Sequence, residues 1–151
     1  MPQDHRVPMA APGRAYISQK ATIDSAVEGV LNQGHYIQGV QCERFEQAFA
    51  KWTGVKHGIA VASGTDALTI ALRSVGIQAG DAIVTAANTA GATIAAIQAC
   101  GCIPILADID EKTMNICVTS AEKVIEDWKN QHPIRAIIPV HMYGQAVAMP
   151  G

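Results

Sequence analysis

Apolar residues recur at helical spacing in two places in the first third of the chain. The first set comprises Ile23, Ala26, Val27, Val30 and Leu31, and the second comprises Phe45, Phe49 and Trp52. Residues three or four positions apart share one face of an α-helix, so each set predicts an amphipathic helix. Gly34 and Gly54 follow the two sets, and glycine commonly ends a helix. Ahead of them, the prolines of the first 20 residues predict a loose arm.

From residue 57 onward, short apolar runs alternate with helical segments. The runs predict four strands, at residues 58–62, 82–85, 103–109 and 134–140. Helices are predicted at residues 66–75, at residues 90–99 and from Thr119, which has the spacing of a capping box with Glu122. Strands that alternate with helices of this length form right-handed crossovers and a mostly parallel sheet. The sequence therefore predicts a three-layer α/β fold with helices on both faces of the sheet.

Polar clusters follow the four predicted strands. They are Ser63-Gly64-Thr65, Ala86–Thr89, Asp108–Asp110 and His141–Gly144. The carboxyl ends of parallel strands lie at one edge of the sheet, and ligands of such folds bind beyond that edge. The pattern therefore predicts a binding site built from these clusters.

The turn at Ser63-Gly64-Thr65 permits two interpretations. The first N–H groups of a helix lack partners within it, and a glycine lets a ligand approach them, so the turn suits a phosphate or another anion. Alternatively, Ser63 or Thr65 is only an N-cap, a role in which hydroxyl side chains are common. The gathering of polar clusters at one edge favours the anion site. No G-x-G-x-x-G or Walker-type fingerprint is present, which argues against a Rossmann-like nucleotide binder.

Composition narrows the class of protein. The 151 residues are 49% hydrophobic and 16% charged, with a formal net charge of −2, which indicates a globular chain without a nucleic-acid-binding surface. The sequence has no apolar run of membrane-spanning length and no signal peptide, so a cytoplasmic protein is expected. The four cysteines are expected to be reduced thiols, because they lack the spacing of metal ligands.

Several blocks of sequence resemble a known family. They are "VLNQGHYIQGVQCERFEQAFAKWTG", "GVKHGIAVASGTDALTIAL", "GDAIVTAANTAGATIAAIQACGCIPILADIDEKTMNI" and "AIIPVHMYGQ". In this order and spacing they resemble the DegT/DnrJ/StrS-type sugar aminotransferases, which are pyridoxal-phosphate enzymes of the aspartate-aminotransferase fold (fold type I). The resemblance covers the chain from about residue 15 onward. It implies the incomplete large domain of such an enzyme, with an arm and helix-loop-helix over residues 1–54 and the first half of the cofactor domain over residues 55–151.

The resemblance also implies roles for individual residues. The cofactor phosphate would be held by the block that begins at Ser63, Gly64, Thr65 and Asp66. The turn after the second predicted strand, with Asn88, Thr89 and Ala90, would lie beside the cofactor ring, where many family members carry an aromatic residue that this chain lacks. Three residues would contact substrate: Tyr36, from a neighbouring subunit of a homodimer, and His141 and Tyr143. Ordinary structural roles for Tyr36 and His141 remain open.

The catalytic groups of the family are expected to be missing. The lysine that holds the cofactor covalently and the acid that faces its pyridine nitrogen lie downstream of the "YGQ" block in the family, as do the rest of the cofactor domain and the small domain. The six lysines of this chain have the pattern of surface residues. We therefore expect a truncated piece, inactive alone, of an enzyme that transfers an amino group from glutamate to a keto-sugar nucleotide. The alternative is a non-catalytic half-domain that acts as a binding or self-association module.

Overall fold

The computed structural model describes residues 8–129 and 131–148. The helices are α1 (Pro12–Ser18), α2 (Lys20–Gln33), α3 (Val40–Thr53), α4 (Gly64–Ser74), α5 (Gly91–Ala99) and α6 (Val118–Asp127). The strands are β1 (Ala82–Ala86), β2 (Ile103–Ala107) and β3 (Ile134–Ile138), and a 3-10 turn spans Met142–Gly144. Among the described residues, no helix has the length and apolar character needed to cross a membrane. The chain divides into two compact units, one up to Ala60 and one from Val61.

The first unit contains α1, α2 and α3. The two amphipathic helices are confirmed, and each ends at its predicted glycine, Gly34 with φ of 68° and Gly54 with φ of 75°. The prediction of a loose arm was wrong from Pro12 onward, because α1 begins there. Proline breaks the interior of a helix but suits its first position, where the missing N–H would have had no partner. Residues 1–7 of the predicted arm lie outside the described part of the chain.

The apolar faces of the first unit are largely open. Of its described residues only Ala50 is buried. On α3 the Phe45 and Phe49 ring centroids lie 5.7 Å apart, and those of Phe49 and Trp52 lie 5.8 Å apart. Trp52 is nevertheless 81% exposed. Exposed aromatic residues that form a contiguous patch are typical of a surface that contacts another protein.

The second unit is built on a parallel sheet with the strand order β2-β1-β3. Val84 in the central strand pairs with Ile105 on one side and with Ile137 on the other. Every residue of β1 is buried, as expected for a strand that is covered on both faces and paired on both edges.

Helices cover the two faces of this sheet, which confirms the predicted three-layer fold. On one face, Leu72 of α4 and Ile97 of α5 pack in a cluster with Ile83. On the other, Ala121 of α6 packs in a cluster with Val84. Side chains of β1 alternate between these two clusters, since successive residues of a strand point to opposite faces.

The predicted strand at residues 58–62 was wrong, since the structure has no strand there and three strands in its described part rather than four. A strand needs a neighbour to complete its hydrogen bonds, and residues 58–62 pair with none of the three strands. The Ala60 N–H instead donates to the Glu46 side chain, with N and Oε1 2.7 Å apart. The third predicted strand ends early, at Ala107, although Ile109 still forms an isolated antiparallel bridge with Ile116.

The predicted capping box at Thr119 and Glu122 was also wrong. The N-cap of α6 is Cys117, and Thr119 lies inside the first helical turn. The Thr119 hydroxyl is 3.1 Å from the Cys117 Sγ, and its neighbour Ser120 accepts a hydrogen bond of 2.8 Å from the Asp108 N–H. The helix therefore begins earlier than the box predicts, and its hydroxyls bind groups outside the predicted motif.

Candidate functional site

Ser63 caps helix α4. Its backbone is extended, and its Oγ accepts a hydrogen bond of 3.1 Å from the Asp66 N–H. The same hydroxyl donates to the Asp66 carboxylate, with Oγ and Oδ2 2.8 Å apart. Ser63 is therefore the N-cap of α4, as one interpretation of the sequence proposed. Its hydroxyl has one proton, and that proton is used in the hydrogen bond to Asp66.

Gly64 and Thr65 follow as the first two residues of α4. Their N–H groups donate no hydrogen bond to any acceptor in the described residues, as is usual for the first turn of a helix. A Cβ added to Gly64 would meet no atom within 4 Å, and the Thr65 hydroxyl makes no hydrogen bond within the described chain. The turn thus offers two amides and one hydroxyl at the positive end of the helix, with open space in front of Gly64.

Contacts between α4 and α5 indicate where this turn lies. The Cys100 Sγ is 3.6 Å from the Thr69 carbonyl oxygen, and the Arg73 guanidinium donates to the Ala99 carbonyl oxygen at 3.2 Å. The carboxyl ends of the two helices therefore lie side by side. Because α5 begins just beyond the carboxyl end of β1, this packing agrees with the predicted position of the turn at that edge, which stays a prediction.

The turn between β1 and α5 carries the other predicted cofactor residues. Asn88 and Thr89 are half-buried, and Ala90, the N-cap of α5, is exposed. The Thr89 hydroxyl donates to the Thr93 hydroxyl at 2.9 Å, and Thr93 is buried at the start of α5. Thr89 is therefore held by the helix that follows it, which fixes the turn at the carboxyl edge of the sheet.

Residues after β3 form a compact loop at that edge. His141 precedes the 3-10 turn, and its Nδ1 accepts a hydrogen bond of 3.0 Å from the Val147 N–H. Tyr143 has a φ of 55° and is 77% exposed. The structure therefore presents the Tyr143 side chain to solvent and uses His141 to close the loop.

Sequence reasoning missed Asn115, which is 97% buried beneath this loop. Its Oδ1 accepts from the Met142 N–H, and its Nδ2 donates to the carbonyl oxygens of Gln145 and Ala146. These partners lie 27 to 31 residues further along the chain, so no local pattern could reveal them. A buried asparagine and an exposed one look alike in a single sequence.

Tyr36 belongs to the first unit, in the loop between α2 and α3. It is 63% exposed, and its hydroxyl donates to the Leu31 carbonyl oxygen at 3.2 Å. Its contact with substrate stays a prediction.

Hydrogen bonds lower the pKa values of two side chains near the sheet edge, Asp110 and Cys117. The N–H of Thr113, followed by its side chain, lowers the pKa of Asp110, whose Oδ1 also accepts from the Lys112 N–H. The hydroxyl of Thr119, followed by the Ser120 N–H, lowers the pKa of the Cys117 thiol.

Within residues 8–129 and 131–148, no group of His, Cys, Asp and Glu side chains could hold a metal ion. All six lysines are exposed, as their pattern predicts.

Comparisons with known proteins agree with this fold. The model of the DegT/DnrJ/EryC1/StrS aminotransferase family matches residues 18–151. A relative from Micromonospora megalomicea subsp. nigra, a dTDP-3-amino-3,4,6-trideoxy-alpha-D-glucose transaminase, is 35% identical over 134 residues, 89% of this chain and 34% of the relative. The chain therefore spans about a third of the length of the curated relatives it matches.

Solved structures give the same result. A DegT DnrJ EryC1 StrS aminotransferase from Brucella abortus is similar with a TM-score of 0.88 and 30% identity, over 95% of this chain and 39% of that one. The protein ntda from Bacillus subtilis, with bound cofactor pmp, is similar with a TM-score of 0.80 and 31% identity, over 94% of this chain and 33% of that one. The second unit therefore has the architecture of part of a fold type I cofactor domain.

Replacing Asp110 with Asn is expected to lower the free energy of unfolding at neutral pH and to lower it less in acid. The N–H groups of Thr113 and Lys112 favour the charged carboxylate in the folded state, which lowers its pKa. This stabilisation is complete above the pKa of the unfolded chain, about 3.9, and is lost as the pH falls through the lower folded-state value. Urea unfolding at about pH 7 and about pH 2 measures the difference.

Glu111→Gln is the matched control, because it removes the same charge from the exposed neighbouring residue, which makes no side-chain hydrogen bond in the described structure. It is expected to show no such dependence on pH. An Asp110→Asn variant that loses the same stability at both pH values would contradict the argument.

Proposed function

Because the chain belongs to the DegT/DnrJ/EryC1/StrS aminotransferase family, we propose that it is the phosphate-binding part of a pyridoxal-phosphate enzyme that transfers an amino group to a keto-sugar nucleotide. The names of its relatives, which include dTDP-sugar and UDP-sugar aminotransferases, support this class of substrate. The family resemblance supports glutamate as the amino donor. This chain corresponds to about a third of the length of such a relative, and we propose that the activity of the whole enzyme also needs residues from the other two thirds.

The open amino terminus of α4 carries the proposal. Gly64 and Thr65 offer two N–H groups and a hydroxyl without partners in the described residues, and no Cβ blocks the approach to Gly64. A phosphate dianion needs donors of this kind, and the helix dipole favours its charge. Ser63 would not donate to the phosphate, because its proton is used by Asp66. The residues present therefore fit the phosphate end of the cofactor, with Thr65 and the two amides as its ligands.

The cofactor, when bound, supplies an aldehyde carbon and a ring that accepts electrons. This chain would contribute the position of the phosphate and, through the Asn88–Ala90 turn, one wall beside the ring. Thr89 is tied to the buried Thr93, so that wall is preorganised. Small side chains in this turn leave the ring without an aromatic partner from these residues.

The amino-transfer step needs a lysine next to the aldehyde carbon, and none of the six lysines meets this need. Lys20 is paired with Asp24 on the surface of α2, and the other five are exposed. We propose that this chain alone binds phosphate weakly and does not transfer amino groups.

Self-association is a second candidate function, favoured by the exposed aromatic residues of α3 and by the open edges of β2 and β3. Unpaired edges and apolar patches both promote contacts between copies. This function does not require catalysis, so it remains compatible with an inactive chain.

Replacing Gly64 with Ala is expected to weaken the binding of pyridoxal phosphate and of inorganic phosphate by about tenfold or more, since a Cβ would keep the anion from charge-assisted hydrogen bonds. Stability is expected to stay the same or to rise by up to about 1 kcal/mol, as for alanine in place of a helical glycine. Isothermal titration and thermal unfolding measure the two quantities.

Gly29→Ala is the control, because Gly29 is also helical and open to a Cβ but lies in α2. It is expected to leave phosphate binding unchanged. Equal affinities in Gly64→Ala and the unmodified chain would remove the anion site from this turn.

Reduction with borohydride at a limiting amount of pyridoxal phosphate is expected to label no single lysine to completion, because the six exposed lysines compete for the aldehyde and the proposed phosphate site holds it beside none of them. Mass spectrometry of the digested protein detects the label. A full-length relative that carries the downstream lysine serves as the positive control. Labelling of one lysine to completion, together with amino transfer from glutamate, would show that the chain is catalytically complete.

In solution the chain is expected to form dimers or larger assemblies, and replacing Trp52 with Lys is expected to shift them towards monomers. The change places a charge on a side chain that is 81% exposed within the aromatic patch. Light scattering gives the mass. Val75→Lys, at a residue 73% exposed in the second unit, is the control and is expected to keep the assembly. A monomer at high concentration of the unmodified chain would contradict self-association.

A further inference from the structure

Asn115 lies on the return path of the chain after β2. The Asp110 N–H donates to the Asn115 carbonyl oxygen at 2.9 Å, and the Asn115 N–H donates to the Thr113 hydroxyl at 3.3 Å. The next residue, Ile116, bridges to Ile109. The backbone of Asn115 is therefore held within the segment that follows β2, independently of its side chain.

The side chain of Asn115 connects this anchor to the loop after β3. Nδ2 is 3.2 Å from the Gln145 carbonyl oxygen and 3.3 Å from that of Ala146, while Oδ1 is 3.3 Å from the Met142 nitrogen. The partners determine the orientation of the amide, because carbonyl oxygens accept and an N–H donates. At 3% exposure, water cannot readily replace these three contacts.

The loop that Asn115 holds contains a residue in a disfavoured conformation. Tyr143 has a φ of 55°, in the left-handed region that non-glycine residues rarely adopt. Such a conformation persists only where surrounding contacts hold it. The loop's own bonds run from the Gln145 N–H to the Met142 carbonyl oxygen and from the Val147 N–H to His141 Nδ1. The Met142 N–H also donates to the Val140 carbonyl oxygen at 2.9 Å, so Asn115 Oδ1 shares this donor with Val140. Asn115 joins both ends of the Met142–Ala146 segment to the segment that follows β2.

We propose that Asn115 is a positioning residue that holds the Met142–Ala146 segment, and with it the conformation of Tyr143, at the carboxyl edge of the sheet. What Tyr143 would contact there, the sugar-nucleotide substrate, rests on the proposed function. The positioning itself rests on the three hydrogen bonds and on the burial of the Asn115 side chain that makes them.

Replacing Asn115 with Leu or Asp tests the proposal. Leu removes all three hydrogen bonds while keeping the branched shape of the side chain, whereas Asp keeps the acceptor for Met142 but turns a carboxylate towards two carbonyl oxygens. The protection of the Gln145 amide against hydrogen exchange, measured by NMR relative to the unmodified chain at the same pH, is expected to fall about tenfold or more, which corresponds to about 1.4 kcal/mol in the local opening equilibrium. The chemical shifts of Tyr143 are expected to move in both variants.

Measuring the Gln145 protection in acid is expected to distinguish the loss of the Asn115 hydrogen bonds from a loss of packing. A neutral carboxyl group can donate one hydrogen bond, so Asn115→Asp is expected to regain part of the Gln145 protection at about pH 4, near the usual titration range of the acid. Asn115→Leu has no such group and is expected to regain none.

Two controls complete the experiment. The amide of Val84 in β1 reports on the whole unit and is expected to keep its protection in both variants. Asn32→Asp makes the same chemical change at an exposed position of α2 and is expected to alter neither Gln145 nor Tyr143. If Asn115→Leu does not fold, Asn115→Asp still decides the question through its pH dependence.

Unchanged Gln145 protection would overturn the proposal, as would an equal loss at Val84, which would show that Asn115 stabilises the unit rather than the loop. Because the readout needs no cofactor, a failure of phosphate binding at Gly64 would contradict the proposed function and leave this test intact.

Discussion

The pairing of β1 with a neighbour on each edge is the interaction on which the second unit depends. Because β2 and β3 both run parallel to β1, their carboxyl ends meet at one edge, and every connection must cross a face of the sheet as a helix. Burial of all five residues of β1 follows from that coverage. The loops after the three strands then have one place to gather, where α5 also begins.

Local patterns predicted most of this arrangement, because helices and buried strands are encoded by periodicity. The glycine stops of α2 and α3 and the alternation of strands with α4, α5 and α6 are in the sequence itself. Errors arose where the partner is distant and where a helix begins at another residue than its hydroxyl or proline pattern suggests. Residues 58–62 have the composition of a strand, but a strand exists only with a paired neighbour, and the Ala60 N–H bonds Glu46 instead. At Thr119 the hydroxyl pattern suggested a cap, while the helix had already begun after Cys117.

The candidate site also has one part that adjacent residues predict and another that depends on residues far apart in the sequence. The turn at Gly64 is a continuous segment, so its amides and its lack of a Cβ can be inferred from a few adjacent letters. Asn115 works through residues about thirty positions away, and its importance becomes visible only when β2 and β3 are placed on either side of β1. A binding site therefore combines a locally encoded part, which motifs reveal, with a part that the topology creates.

Energetics limit what the local part can do. Two or three hydrogen bonds to a charged phosphate contribute about 1.5 to 3 kcal/mol each, and the helix dipole adds about 0.3 to 1 kcal/mol. The loss of translational and rotational freedom on binding offsets about 4 kcal/mol or more of this gain. Since a millimolar dissociation constant already needs about 4 kcal/mol of net binding energy, the site proposed at Gly64 and Thr65 would select and orient a phosphate but retain it poorly. Tight retention of a cofactor therefore requires contacts to its ring and a covalent bond to a lysine, which this turn does not supply.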